Sequence, residues 1–297
     1  MALDIDQWLD HNTCDLDGRT VAITGAVGGL GRHVVRDLLK VHTKIIMLDR
    51  SIDAMNDFRE ELLGEFAHAE IKCVKIDLNQ IKSINAAVAQ LVNQRIDCLI
   101  LNAGVYKVPV VKSQLGYNNV FQINFIGQYY LVKQLLPVLQ RVNGKVVVVS
   151  SIAHGSVKLD ENDIDYSQQA KKAAKVYGNA KRFLTLALSE LFKDRDDVRL
   201  TLVHPGITLT PMTNAKNNFF INLIMKVMFP KPAVAALNIV GGVFTDINYD
   251  EWIGPRVAKI WGLPRVGKLP VATAEERAKI YNLAENICKV IEKSNLF

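Results

Sequence analysis

The sequence contains little cysteine and arranges none of it for chemistry. Its four cysteines, Cys14, Cys73, Cys98 and Cys288, form no C-x-x-C pair and no metal-ligand spacing. No disulfide framework and no metal centre is therefore expected, and a reducing, cytoplasmic compartment fits. No apolar run approaches the roughly 18 residues of a membrane span. The first 17 residues carry five aspartates and no basic, apolar leader, so no signal peptide is expected. There is no long block of one charge sign. Thirty-six basic and 30 acidic residues are interspersed, for a formal charge of +6, which argues against nucleic acid as a partner. Internal repeats and low-complexity linkers are also missing. What remains is a chain of 297 residues, 49% hydrophobic, enough for one large α/β domain spanning 1–297.

The first two-thirds alternate apolar, strand-like runs with helical patterns. Strands are expected at 20–24, 44–48, 71–76, 96–101, 145–150 and 198–203. Helices are expected at 32–40, 52–66, 81–92, 118–140 and 168–193. This alternation predicts a doubly wound parallel sheet, Rossmann-like, with helices on both faces. The run Val146-Val147-Val148-Val149 fits a strand buried on both sides. In such sheets ligands bind beyond the carboxyl ends of the strands. Gly25, Asp49, Asp77, Asn102, Ser150, Ser151 and His204 all fall there.

The stretch Thr24-Gly25-Ala26-Val27-Gly28-Gly29-Leu30-Gly31 joins the first strand to the first helix. Glycines there let the backbone approach a phosphate, and the free N–H groups of the helix's first turn face it. Asp49, 24 residues after Gly25, ends the second strand, where a carboxylate can accept both hydroxyls of an adenosine ribose. The adjacent Arg50 could instead bind a 2′-phosphate. Tyr177 and Lys181 are four apart and share a helix face. A lysine cation near a phenol favours the phenolate, making an acid/base usable near neutral pH.

Taken in order, the glycine turn, Asn102-Ala103-Gly104, Asn124, Ser151, Tyr177, Lys181 and Pro205-Gly206 resemble the short-chain dehydrogenase/reductase family. The resemblance covers at least residues 17–210. It implies an NAD(P)-dependent oxidoreductase that interconverts an alcohol and a ketone or aldehyde. It implies that Tyr177 is the acid/base, that Lys181 lowers its pKa and holds the nicotinamide ribose, and that Ser151 bonds the substrate oxygen. Asn124 would keep a relay water. Asn102, Ala103 and Gly104 would border the adenosine, Asp77 and Leu78 the adenine, and Pro205, Gly206, Ile207 and Thr208 the nicotinamide. Gly28 stands where NADP-dependent members often carry a basic residue. With Asp49 this favours NAD, while Arg50 leaves NADP open. The 26 residues from Ser151 to Tyr177 exceed the family's commonest spacing. The extra loop, 154–166, looks like that of the retinol-dehydrogenase-like and protochlorophyllide-reductase-like branches, and the long spacing favours the first. Family resemblance also implies a homodimer or homotetramer built on the helices 118–140 and 168–193.

Residues 207–232 correspond to the variable substrate lid. Its run 219–229 is apolar except for Asn222 and Lys226, which fits an apolar substrate, a packed helix, or a membrane or partner surface. Residues 250–297 are expected to form an extension: a turn-rich part around Trp252 to Pro264, then a helix. Thr273 and Glu276 read as a capping box, with Ile280, Leu283, Ile287, Val290 and Ile291 on one face. A non-catalytic, dinucleotide-binding redox sensor is the alternative class.

Overall fold

Successive residues of the central strands face two different cores. Val146 and Val148 join one apolar cluster, whereas Val147 and Val149 join the other. This is the reason those strands read as unbroken apolar runs: neither face meets water. The computed structural model describes residues 4–170, 172–206, 230–270 and 272–294. The lid run 207–229 lies outside the described residues, and with it Ile207 and Thr208.

Eight strands form one sheet in the order β3-β2-β1-β4-β5-β6-β7-β8. They are β1 (Thr20–Thr24), β2 (Lys44–Asp49), β3 (Ile71–Lys75), β4 (Cys98–Leu101), β5 (Lys145–Val149), β6 (Arg199–Val203), β7 (Glu251–Val257) and β8 (Trp261–Lys268). The first seven are parallel and β8 runs antiparallel to β7. The strand order reverses between β1 and β4, which opens a crevice at their carboxyl ends. One face is covered by α1 (Ile5–Asn12), α2 (Gly31–Leu39), α3 (Ile52–Glu65) and α7 (Pro232–Phe244). The other is covered by α4 (Ile81–Leu91), α5 (Gly127–Gln140), α6 (Ala173–Phe192) and α8 (Ala274–Lys293). The doubly wound sheet expected from the sequence is therefore present.

Several local expectations are corrected. The part around Trp252 to Pro264 is not merely turns: it forms β7 and β8, which extend the sheet. Pro255 and Pro264 face each other across this ladder beside a register shift, and β8 is an edge strand, where missing N–H donors are tolerated. The helix expected at 118–140 begins as Asn119–Phe121, widens into a π-helical stretch Gln122–Ile126 and only then becomes α5. That expected at 168–193 starts at Ala173, after a short 3-10 turn Ser167–Gln169. On α8 the buried stripe is Ile280, Ala284, Ile287, Cys288 and Ile291, whereas Val290 is 62% exposed. Thr273 does cap α8, accepting from the Glu276 N–H at 3.1 Å, but the Glu276 carboxylate turns elsewhere. Helix α1 was not anticipated. Its Trp8 and Leu9 pack into the second core.

Helix α6 is enclosed. Between Val176 and Phe192 every residue except Tyr177 and Glu190 is buried. Helix α8 packs along it and is tied to α5 through Glu285, which accepts from Tyr129 Oη at 2.6 Å and Lys133 Nζ at 3.0 Å. The association face expected on α6 is thus covered from within the chain. Among the described residues no helix is long and apolar enough to cross a membrane, and no cluster of side chains could hold a metal ion.

Candidate active site

The crevice at the strand ends is a cleft of about 930 Å³, at the upper end of the range for small-molecule sites. Its floor begins with the glycine turn. Gly25 has φ +67°, and a Cβ there would lie 2.9 Å from Ala103 Cα. At Gly31 a Cβ would fall 2.1 Å from the Gly25 carbonyl oxygen, so helix and turn meet backbone to backbone. Gly31 serves this contact and does not line the cleft, whereas Thr24, Gly25, Val27, Gly28, Gly29 and Leu30 do. No side chain caps the start of α2 and no acid lies in its first turn. Its N–H groups and positive dipole end are open to an anion.

The Asn102-Ala103-Gly104 segment braces this turn. Asn102 Nδ2 donates to the carbonyls of Thr24 and Gly25, both at 3.0 Å, and the Ala103 N–H donates to Thr24 Oγ1 at 3.0 Å. Asp49 and Arg50 lie side by side in the cleft wall, where the Arg50 N–H donates to Asp49 Oδ1 at 2.8 Å. Leu78 and Asp77 also line it, but the Asp77 carboxylate accepts from the Asn79 N–H and Gln80 Nε2 and so folds back on its own turn. Pro205 and Gly206 close the far end.

Ser151, Tyr177 and Lys181 reach the cleft from β5's end and from α6. Ser151 Oγ accepts the Ala153 N–H at 3.2 Å, and the same hydroxyl lies close enough to the Tyr177 phenol to act on its pKa. Burial pushes the Tyr177 pKa up to about 12, opposed by the Ser151 hydroxyl and reinforced by Tyr106. Lys181 is 1% exposed, donates from Nζ to the Val149 carbonyl at 2.7 Å, and is lowered by burial to about 8. Its Nζ stands 5.9 Å from the Tyr177 ring centroid. Burial thus sets the direction of the Tyr177 shift. Asn124 is fully buried in the π-helical stretch and does not line the cleft. Its amide is spent on Val105, accepting from the N–H at 2.8 Å and donating to the carbonyl at 2.9 Å.

Sequence reasoning missed Tyr106. It meets Tyr177 edge-on with ring centroids 5.3 Å apart, and its only sequence signal is its place two residues past Gly104. It had noted His204 only as a strand-end residue. His204 Nε2 donates to the Lys259 carbonyl at 3.0 Å, and the ring stacks on Trp252 at 5.1 Å. Burial lowers its pKa to about 4, so it is neutral at ordinary pH.

A parallel sheet with an uncapped glycine turn at its switch point, and a Ser/Tyr/Lys group in the same cleft, define an NAD(P)-dependent oxidoreductase acting on CH–OH groups. The sequence matches the model of the short chain dehydrogenase family over residues 19–219, and the chain belongs to that family. It is similar to retinol dehydrogenase 14 of Homo sapiens, 29% identical over 232 residues that cover 72% of this chain and 68% of the relative. It is also similar to the chloroplastic short-chain dehydrogenase TIC 32 A of Brassica napus, 30% identical over 213 residues, 67% of each chain. These relatives put it in the retinol-dehydrogenase-like branch. Among solved structures, an uncharacterized protein from Mycobacterium paratuberculosis superposes with a TM-score of 0.73 at 24% identity, covering 93% of this chain and 95% of that one.

Proposed function

We propose that the protein oxidises or reduces an apolar alcohol or carbonyl with NAD as the preferred dinucleotide, and that Tyr177 carries the proton. The observation that supports this most is the convergence of Ser151, Tyr177 and Lys181 in one cleft with the glycine turn. The cradle suits a dinucleotide: its backbone is bare of side chains at Gly28 and Gly29, and its helix end is open. Thr24 to Leu30 would hold the pyrophosphate, Asp49 the adenosine ribose, Leu78 and Ala103 the adenine side, and Pro205 and Gly206 the nicotinamide end. When bound, the nicotinamide supplies or accepts the hydride. The chain's own residues hold and move the proton. The Tyr177 hydroxyl gives its proton to a nascent alkoxide, or in the reverse direction its phenolate takes one from an alcohol, while Ser151 Oγ steadies the same oxygen. The Lys181 ammonium favours the phenolate that results.

Asn124 enters this scheme only through its main chain, since its amide is engaged with Val105. The apolar class is supported by the cleft lining of Val105, Tyr106, Ile152, Ala153 and Ala174, and by relatives named for retinol. NADP is the competing cofactor, through Arg50. A homodimer or homotetramer is proposed on the family resemblance, with a face other than that of α6 carrying it. A cytoplasmic location is supported by the four free thiols. A redox sensor that does not turn over has no use for Ser151, Tyr177 and Lys181 gathered in one cleft.

Fluorescence titration with NADH and NADPH, followed by a screen of apolar alcohols under both oxidised dinucleotides, tests the reading. Tight dinucleotide binding and turnover are expected, with turnover falling at least about 10³-fold in Tyr177→Phe while dinucleotide affinity holds. Binding of neither dinucleotide, or an active Tyr177→Phe, overturns it.

A further inference from the structure

The extra loop between Ser151 and Tyr177 has to be held in place, because it begins in the turn that fixes Ser151. That turn, Ile152–Ser156, lies on α6 at backbone distance: a Cβ at Gly178 would fall 2.7 Å from the Ala153 carbonyl oxygen. One ion pair joins the pieces. Arg182, the residue after Lys181, is 4% exposed. Its Nη1 donates to the His154 carbonyl at 3.0 Å. Its Nε and Nη2 donate to the two carboxylate oxygens of Glu276 at 2.7 and 2.5 Å. Glu276 Oε1 also accepts the Leu159 N–H, from the middle of the extra loop, at 3.1 Å. The carboxylate is held low by the Arg182 guanidinium and that N–H against the opposing effect of burial, so it is ionised. Glu276 itself belongs to the first turn of α8 and lies beyond the family match at 19–219.

We propose that Arg182 and Glu276 are a positioning pair that clamps the Ser151 turn and the extra loop onto the helix bearing Tyr177 and Lys181. Neither residue touches the cleft. Three parts of the chain, α6, α8 and the Ser151 turn with its loop, meet at one guanidinium–carboxylate fork, and a planar fork fixes direction as well as distance. A shift of the turn moves Ser151 Oγ away from the Tyr177 hydroxyl. Near-attack geometry does not tolerate such a shift. The inference rests on the proton-transfer reading above.

The test uses the full chain and the fastest alcohol of the screen. Glu276→Gln removes the charge and keeps the shape, Arg182→Met removes the fork, and Arg182→Lys keeps the charge. Active sites are counted by dinucleotide titration. In Glu276→Gln, kcat is expected to fall about 10-fold, and in Arg182→Met about 100-fold, with the dinucleotide KM unchanged and Arg182→Lys intermediate. Tyr177 faces Ser151, Lys181 and Tyr106. Displacement of Ser151, which lowers the Tyr177 pKa, moves the midpoint at which kcat for alcohol oxidation rises with pH upward by about half a unit. A merely structural role would change thermal stability but leave kcat per active site and the pH midpoint in place. Parental kcat and midpoint in Glu276→Gln, with Tyr177→Phe inactive, overturn the pair. An active Tyr177→Phe, or no turnover of any alcohol, overturns the reading beneath it.

Discussion

The two ends of the cleft are built on different principles. The pyrophosphate cradle of the dinucleotide end is made almost entirely of backbone from β1, the glycine turn and the start of α2, contiguous in sequence. The proton-transfer end is made of side chains from β5, α6, the extra loop and α8, which sequence keeps apart. The first depends on what is missing, a Cβ at Gly25 and Gly31. The second depends on what is present, a half-buried phenol with a buried ammonium and guanidinium. A backbone site tolerates most substitutions that leave its glycines alone. A side-chain site is sensitive to its supports as well as to its reacting groups.

The largest effect that separates the two ends is expected for Gly31→Ala. A Cβ 2.1 Å from the Gly25 carbonyl oxygen forces α2 off the turn. Destabilisation of about 3 kcal/mol and a loss of dinucleotide affinity of about 100-fold should appear in denaturant unfolding and NADH titration. An alanine variant that binds NADH normally would break the backbone account of this end.

Acid should distinguish the ends next. The buried histidines His154 and His204 both belong to the proton-transfer side, and burial lowers them to about 3 and about 4. As pH falls below 6.5 the unfolded chain takes up protons that the folded chain refuses, so stability is lost down to those values. Each histidine contributes up to about 1.4 kcal/mol per pH unit in that window. Asp37, on α2, acts in the opposite sense because burial raises it to about 6. Hydrogen exchange between pH 6.5 and 4.5 should therefore show β6–β8 loosening before β1–β3. His154→Phe, at a ring whose two nitrogens have no partner, should flatten the dependence. Loosening of β1–β3 first would reverse the comparison.

The smallest effect is cofactor choice. Asp49→Ala should lower the NADH over NADPH preference by about 10-fold, or about 1.4 kcal/mol, without changing kcat on the preferred alcohol. NADPH preference in the parent protein would transfer the determining role to Arg50.

Legibility followed the same division. The glycine turn and the strand-end place of Asp49 could be read because each is local and rests on residue type, whereas Asn102 braces that turn from 77 residues away, a contact no local pattern shows. Tyr177 and Lys181 could be paired because a helix sets their spacing. Asn124 was placed in the right neighbourhood, but the direction of its amide is decided by Val105, across a loop. The β7–β8 hairpin was hidden by its glycines and prolines, which read as turns wherever an edge strand tolerates them. Glu276 was read as half of a local cap. Its actual partners, Arg182 and Leu159, are visible only once the chain has folded.

The enclosure of α6 also bears on the order of assembly. From Gly178 to Ser189 helix α6 has no face left for water, yet part of its cover, α8, is made much later in synthesis. The sheet from β1 to β5 can gather its own helices early, since those contacts are close in the chain. Until α8 arrives, the emerging protein presents α6 with an apolar flank uncovered, a surface that invites chaperone capture or aggregation. The nascent chain can thus form its dinucleotide cradle well before it completes the half that moves the proton.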